Sequence, residues 1–329
     1  MTGARIAAVG TALPERVLTN TELGPRIDRD EAWIEARTGI RSRRIASSTD
    51  TAATLGAAAS ESALTAAGLT GSDIDLIICA TVTPHHRFPA TACLIQHALG
   101  SRAAAFDLNA GCSGFLYGLA QADASIRSGA ARRVLVVGTE IMSAITDPLD
   151  PKTAILFGDG AGAVVVEGSE GAGSLGPFLL FSDGSRPELL FVDRATSTIR
   201  MEGREVYRTA VASMVDSVSR VLSETGTDAA EVGIVIAHQA NRRILDAVAA
   251  RLGLPAEKMF SNIDRYGNTS SASIPIALAE AQETGALADG DLVVLTAFGA
   301  GFVWGAGLLR WGVPAPPVPA MAGARSADA

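Results

Sequence analysis

Along the chain, short apolar runs alternate with longer stretches whose apolar positions recur at helical spacing, which is the pattern of an α/β protein. The runs predict strands at 4–12, 75–82, 133–140, 162–168, 232–238, 291–298 and 302–311. The amphipathic stretches predict helices at 51–67, 90–98, 113–128, 206–224, 241–252 and 271–284. The two halves then repeat one another. ESALTAAGLTGSDIDLIICA (61–80) and VSRVLSETGTDAAEVGIVIAH (218–238) both read as helix, glycine, acidic turn and buried strand. GCSGFLYGLAQADASIRSGAARRVLVVG (111–138) and GNTSSASIPIALAEAQETGALADGDLVVLTAFG (267–299) both read as a loop of small residues, a helix, a polar turn and a strand. Each half closes on glycine-rich strands, FGDGAGAVVVEG and FGAGFVWGAGLL. Such repetition predicts duplication of one βαβ-rich unit. The expected division is an N-terminal half over 1–170 and a C-terminal half over 171–313, with a disordered Pro- and Ala-rich tail over 314–329.

Composition narrows the class. With 48% hydrophobic and 19% charged residues, the 329-residue chain can bury a large core. Aromatics are 5% against 34 glycines, so that core must be aliphatic, with many close backbone approaches. A net charge of −8 removes the basic footprint expected of a nucleic-acid partner. No run reaches the ~20 apolar residues of a membrane span, and MTGARIAAVGTALPERV lacks the basic flank and apolar stretch of a secretory leader. Three cysteines, an odd number, suit a reducing compartment. The expectation is a cytoplasmic protein without membrane or nucleic-acid partners.

The candidate chemistry gathers at the ends of the repeated elements. Cys112 opens a helix from a loop of small residues (Ala110, Gly111, Ser113, Gly114), where the positive end of the helix dipole favours a thiolate. Cys79, in an apolar strand, and Cys93, in TACLIQ, read instead as buried small hydrophobes. At the point of the second half that matches Cys112 stands Asn268, and His238 ends the strand that matches the one ending at Ala80. Singly, Asn268 reads as turn chemistry and His238 as a capped turn. Together, on facing halves, they converge with Cys112 on one point. His85, His86 and His97 lack metal-ligand spacing, so no metal is expected. FGDGAGA and FGAGFVWG run into strands and lack a phosphate-loop pattern. They suggest backbone N–H donors for an oxyanion instead.

The motifs AGCSGF, HQANRRI, DRYGNTSSASIP and FGAGFVWG, with EAWIEARTGIRSRRIA and ILFGDGAGAVV, occur in the order and spacing of the β-ketoacyl-acyl carrier protein synthase III family of the thiolase superfamily. The chain resembles that family over residues 4–312. The resemblance implies the five-layer αβαβα thiolase-like fold from two similar halves, and a homodimer. Cys112 would take an acyl group from acyl-CoA as a thioester. His238 and Asn268 would hydrogen-bond the thioester carbonyl of malonyl-acyl carrier protein and stabilise the enolate left by decarboxylation, which attacks the acyl group. The backbone N–H groups of Cys112 and Ala300 would form the oxyanion hole. No cofactor is implied, since acyl-CoA and the carrier protein's phosphopantetheine arm are substrates.

Further positions follow from the same resemblance. Trp33, Arg37, Lys152, Arg208, Asn241 and Arg243 would meet CoA or the carrier protein, although each arginine reads equally as solvated surface. Phe157 and Phe298 would wall the acyl pocket, and Phe88 would close that of the other subunit. Three departures stand out. Ala300 replaces a usual glycine, so a turn needing positive φ would strain the oxyanion donor. Pro151-Lys152 replaces a usual Arg-Gly. The lid segment 186–200 is short. The implied activity is a decarboxylative condensation that primes fatty acid or polyketide synthesis. Its alternatives are an acyltransferase delivering the acyl group to an alcohol or amine, and a non-catalytic carrier-protein-binding partner.

Overall fold

The computed structural model describes residues 3–169 and 174–312, so the division expected at 170/171 and the tail over 314–329 lie outside the described residues. The first half runs β1 (Gly3–Ala12), β2 (Val17–Thr19), α1 (Asn20–Leu23), α2 (Glu31–Thr38), β3 (Ser42–Arg44), α3 (Ala52–Ala67), β4 (Leu76–Ala80) and α4 (Thr91–Ala98). It continues through β5 (Ala104–Leu108), α5 (Gly114–Arg127), β6 (Arg133–Glu140) and β7 (Gly160–Ser169). The second half contains β8 (Leu175–Ser182), β9 (Leu190–Val192), β10 (Ile199–Met201), α6 (Gly203–Thr225), β11 (Ile234–Ala237) and α7 (Arg242–Leu252). It ends with α8 (Ile263–Tyr266), α9 (Ser273–Glu283), β12 (Leu292–Gly299) and β13 (Val303–Arg310).

Two mixed sheets carry the architecture, in the orders β1-β7-β6-β4-β5 and β8-β13-β12-β11. Their pairings correspond strand for strand. β4 runs parallel to β6, which is antiparallel to β7, which is antiparallel to β1. Likewise β11 is parallel to β12, which is antiparallel to β13, which is antiparallel to β8. The second sheet lacks a counterpart of β5. In that place stands a single parallel bridge between Val235 and Met259.

The alternation of side chains along each buried strand sorts the layers. Ile78, Val134, Val136, Val164 and Val166 of the first sheet face one core, together with Ile236, Val293, Leu295 and Leu309 of the second. Between them lie α5, through Phe115, Leu116, Leu119 and Ile126, and α9, through Ile274, Ala277, Leu278 and Ala281. The alternate residues Ile77, Cys79, Leu135 and Val137 pack outward against α3 and α4. On the far side, α6 and α7 cover Val235, Ala237 and Val294. Two outer helical layers, two sheets and one shared central helical layer make five. A further cluster joins the β2–β3 segment with Leu156 and Phe157, packed against Leu190, Met201 and Ile199 from the β9–β10 hairpin.

The strands and helices expected from the pattern are present with ends moved by a few residues. The pattern missed α1, α2, α8, β8 and the two short hairpins β2–β3 and β9–β10, and marked β5 only by a strand-like FDL before Cys112. β5 is an edge strand whose short apolar run, AAF, is cut by Asp107. β8, GPFLLFS after Leu175, lies at the opposite kind of edge and carries an interior Gly-Pro.

Candidate active site

Each candidate side chain sits where an element begins or ends. Cys112 lies two residues before α5, whose first turn has no side-chain cap, so its N–H groups and dipole face the loop. His238 follows β11 directly, its N–H bonded to the Thr296 carbonyl of β12 at 2.8 Å. Asn268 lies in the loop leading to α9. A backbone zipper fixes it, with its N–H donating to the Leu156 carbonyl at 2.8 Å and its carbonyl accepting from Gly158 N–H at 3.1 Å. Gly267 makes that approach feasible. Its φ is +66, and a Cβ there would lie 2.8 Å from the Leu156 oxygen. The FGDG segment therefore seats Asn268 and is not an anion loop, a correction to the expectation for it.

The 298–301 turn does meet Cys112. A Cβ on Gly299 would lie 2.5 Å from the Cys112 nitrogen, and one on Gly111 would lie 2.8 Å from the Ala300 nitrogen. Backbone thus packs directly on backbone, with Cys112 and Ala300 lining the same cavity. The positive φ of this turn falls on Gly301 (+146), and Ala300 is not among the residues with positive φ. The strain expected at Ala300 is absent.

Cys112, His238, Asn268 and Ala300 line one cavity of about 740 Å³. Burial dominates their electrostatics. It pushes the Cys112 thiol up to about 11, with the Ser270 hydroxyl, 3.4 Å from the sulfur, acting in the opposite sense. Burial likewise lowers His238 to about 4, so its imidazole is neutral. The thiolate preference expected from the helix dipole is outweighed at rest. His238 Nδ1 lies 2.7 Å from the Ser273 hydroxyl, which leaves Nε2 for the cavity. The Asn268 amide oxygen accepts from Ser270 N–H at 2.9 Å, and its nitrogen reaches the Ala240 carbonyl at 3.4 Å. With the oxygen occupied, the NH₂ is the group available to a ligand. A neutral imidazole and an amide NH₂ therefore share a cavity with a thiol.

The other expected positions divide. Phe157 and Phe298 line the cavity, as do the exposed Arg37, Lys152 and Arg243, which mark its mouth. Asn241 lines it too, but its amide caps α7 through Arg243 N–H (2.9 Å) and donates to the Arg37 carbonyl (3.1 Å). Trp33 is absent from the lining and packs under the Arg37 guanidinium, 4.0 Å from its ring centroid. Arg208 is also absent and is exposed beside Glu205. Phe88 is 86% exposed and does not line this chain's cavity. Cys93 is exposed, against expectation, because the inward face of α4 is taken by Ala92 and Ile95. The residues 186–200 contribute Leu190, Phe191, Val192 and Ile199 to the wall. Sequence reasoning missed Ser270 and Glu140. The only signals were a serine run after Asn268 and an acid ending the apolar strand RVLVVGTE.

Comparison with known proteins agrees with this geometry. The profile of 3-oxoacyl-[acyl-carrier-protein (ACP)] synthase III matches residues 106–184, and that of its C-terminal region matches residues 222–311. A β-ketoacyl-[acyl-carrier-protein] synthase III of Rhizobium meliloti (strain 1021) is 49% identical over 318 residues, covering 93% of this chain and 98% of the relative. The crystal structure of 3-oxoacyl-[acyl-carrier-protein] synthase III from Aquifex aeolicus VF5 superposes with a TM-score of 0.91 at 47% identity, over 94% of this chain and 100% of the other. That of 3-oxoacyl-(acyl carrier protein) synthase III from Pseudomonas aeruginosa PAO1 gives 0.91 at 44% identity, over 95% and 100%.

Proposed function

The chain belongs to the 3-oxoacyl-[acyl-carrier-protein] synthase III family, and from that premise we propose that it condenses a starter acyl-CoA with malonyl-acyl carrier protein through an acyl-Cys112 intermediate. In the first step the Cys112 sulfur attacks the acyl carbonyl, the bond to CoA breaks, and the thiol proton ends on the departing CoA thiol. Two acyl transfers on one thiol replace a single difficult carbon–carbon bond formation. In the second, malonyl thioester loses carbon dioxide, and the electron pair left behind is held as an enolate. Its oxygen takes hydrogen bonds from His238 Nε2–H and the Asn268 NH₂. The carbanion then attacks the acyl carbonyl, the bond to sulfur breaks, a β-ketoacyl thioester leaves, and the released Cys112 thiolate takes a proton from water. The Cys112 and Ala300 N–H groups hold the oxyanion of both acyl steps. No bound cofactor enters this chemistry.

The observation carrying this reading is the pairing of a neutral His238 with an oriented Asn268 amide in the cavity of Cys112. Two donors that hold no net charge stabilise an enolate without permanently protonating it. A transfer of the acyl group to an alcohol or amine needs a base more than such a pair. Arg37, Lys152 and Arg243 supply cations at the cavity mouth for the CoA phosphates and an acidic carrier protein. The half-exposed edge of β5 and the exposed Phe88 are read as parts of a homodimer contact. The free Cys112 thiol supports a reducing compartment, the cytoplasm.

The test is a pair of single-turnover assays on Asn268→Ala. Acyl-Cys112, read by mass spectrometry, should form as in the wild type, while carbon dioxide release from malonyl-acyl carrier protein falls by about 10²–10³. A wild type that loads acyl groups, never decarboxylates malonyl thioesters and delivers its acyl group to a hydroxyl or amine would replace this reading with an acyltransferase.

A further inference from the structure

The turn between Asn268 and α9 is strained at one residue. Ser270 has φ +50, a left-handed conformation that a residue with a Cβ adopts only at some cost and that gathers at functional sites. Ser270 is fully buried, yet it belongs to the cavity lining. Its hydroxyl does not satisfy a backbone carbonyl of its own turn. It reaches the Cys112 sulfur at 3.4 Å, and the Glu140 carboxylate is its second hydrogen-bonding neighbour.

What holds the strained residue is its neighbour. The Ser271 hydroxyl lies 2.7 Å from Glu140 Oε1 and 2.8 Å from the Ala80 carbonyl. Glu140 is fully buried at the end of β6, and its second oxygen accepts from the Thr83 hydroxyl at 2.7 Å and Val82 N–H at 3.0 Å. One carboxylate thus ties the exit of β4 and the end of β6 to the turn of the second half. The fit is tight as well, since a Cβ on Gly138 would lie 2.5 Å from the Ser271 carbonyl oxygen. A turn whose only task was to present Asn268 would not need a hydroxyl aimed at sulfur.

We propose that Ser270 is a further catalytic residue of the loading step, its hydroxyl donating a hydrogen bond to the Cys112 sulfur as negative charge builds there, with the Glu140–Ser271 contact holding it in place. This rests on the reading of Cys112 as the acyl-accepting nucleophile. Ser270 keeps its proton throughout; the bond from sulfur to the acyl carbon forms as the donor's carbon–sulfur bond breaks, and the thiol proton leaves with the donor. The sulfur needs such a donor because burial, and the nearby charge of Glu140, both disfavour a thiolate. His238, which shares the cavity with the sulfur, is neutral and supplies no countercharge.

Ser270→Ala and Ser270→Gly in the full chain test this. Both remove the hydroxyl, but glycine also relieves the positive φ and so guards against a folding defect. Three readouts apply: single-turnover loading of Cys112 from acyl-CoA, the KM for acyl-CoA, and the pH profile of Cys112 alkylation by iodoacetamide. Loading should fall about ten-fold or more in both variants, the size of one hydrogen bond to an ionising group. KM should change little, and the alkylation midpoint should move to higher pH. Wild-type loading by either variant would overturn the proposal. So would slower loading with an unchanged alkylation profile, which marks a structural role. A wild type that is never acylated at Cys112 would instead overturn the condensing-enzyme reading, and this one with it.

Discussion

At His238, the imidazole is 1% exposed and its pKa is lowered to about 4, so the folded protein refuses a proton that the unfolded chain accepts. As pH falls through the ordinary histidine value of about 6.5, the unfolded state gains that proton first, and stability drops until the folded group also titrates near 4. Denaturant unfolding at neutral and mildly acid pH should show His238 costing the wild type up to about 3 kcal/mol at the acid end. His238→Gln should lose that component of the slope. Within the same range the imidazole stays neutral, so its donor role persists. At Cys112, replacement by alanine should abolish the acyl adduct, whereas Cys79→Ala and Cys93→Ala should leave it, as intact-protein mass spectrometry would read. The reacting trio was legible because cysteine, histidine and asparagine stand at matching ends of a visible repeat. Ser270 and Glu140 were not. Whether a serine hydroxyl meets sulfur or water depends on one backbone φ and on what packs beneath it, and neither is written in residue type.

Among the elements, the end of β12 and the loop before α5 depend on mutual access that only glycine permits. Gly299→Ala would place a methyl 2.5 Å from the Cys112 nitrogen, so the nucleophile or the Ala300 donor must shift. A displacement of about 1 Å at a reacting centre costs about 10² in rate, and single-turnover loading should show a loss of that order. Ala300→Gly should load as the wild type does, because Ala300 is not in the left-handed region. A clear gain on that substitution would show that the native turn is strained after all. Elements whose apolar run is continuous were legible from the sequence: β4, β6, β7, β11 and β12 are buried on both faces. Edge strands and three-residue hairpins were not, since half-exposed positions and short length erase the period that would reveal them.

For the molecule as a whole, two copies of one sheet pattern enclose a shared helical layer, and the site lies where the starts of α5 and α9 meet the end of β11. Neither half holds the proposed chemistry alone: Cys112 comes from one, His238 and Asn268 from the other. The first sheet still presents β5 as an edge, with Phe106 39% exposed. Light scattering at micromolar concentration should report a homodimer, and Phe106→Arg should shift it toward monomer with loss of condensation. A fully active wild-type monomer would contradict this. Part of the cavity wall has a different origin from the proposed reacting groups. Leu190, Phe191, Val192, Ile199 and Met201 line it from a segment threaded between β8 and α6, whereas every reacting group is rooted in the duplicated elements. Heredity can therefore treat the two separately. On the proposed reaction, a lineage that rewrites this one stretch reshapes part of the cavity and leaves the Cys112, His238 and Asn268 elements untouched, so diet can diverge among descendants whose chemistry stays the same.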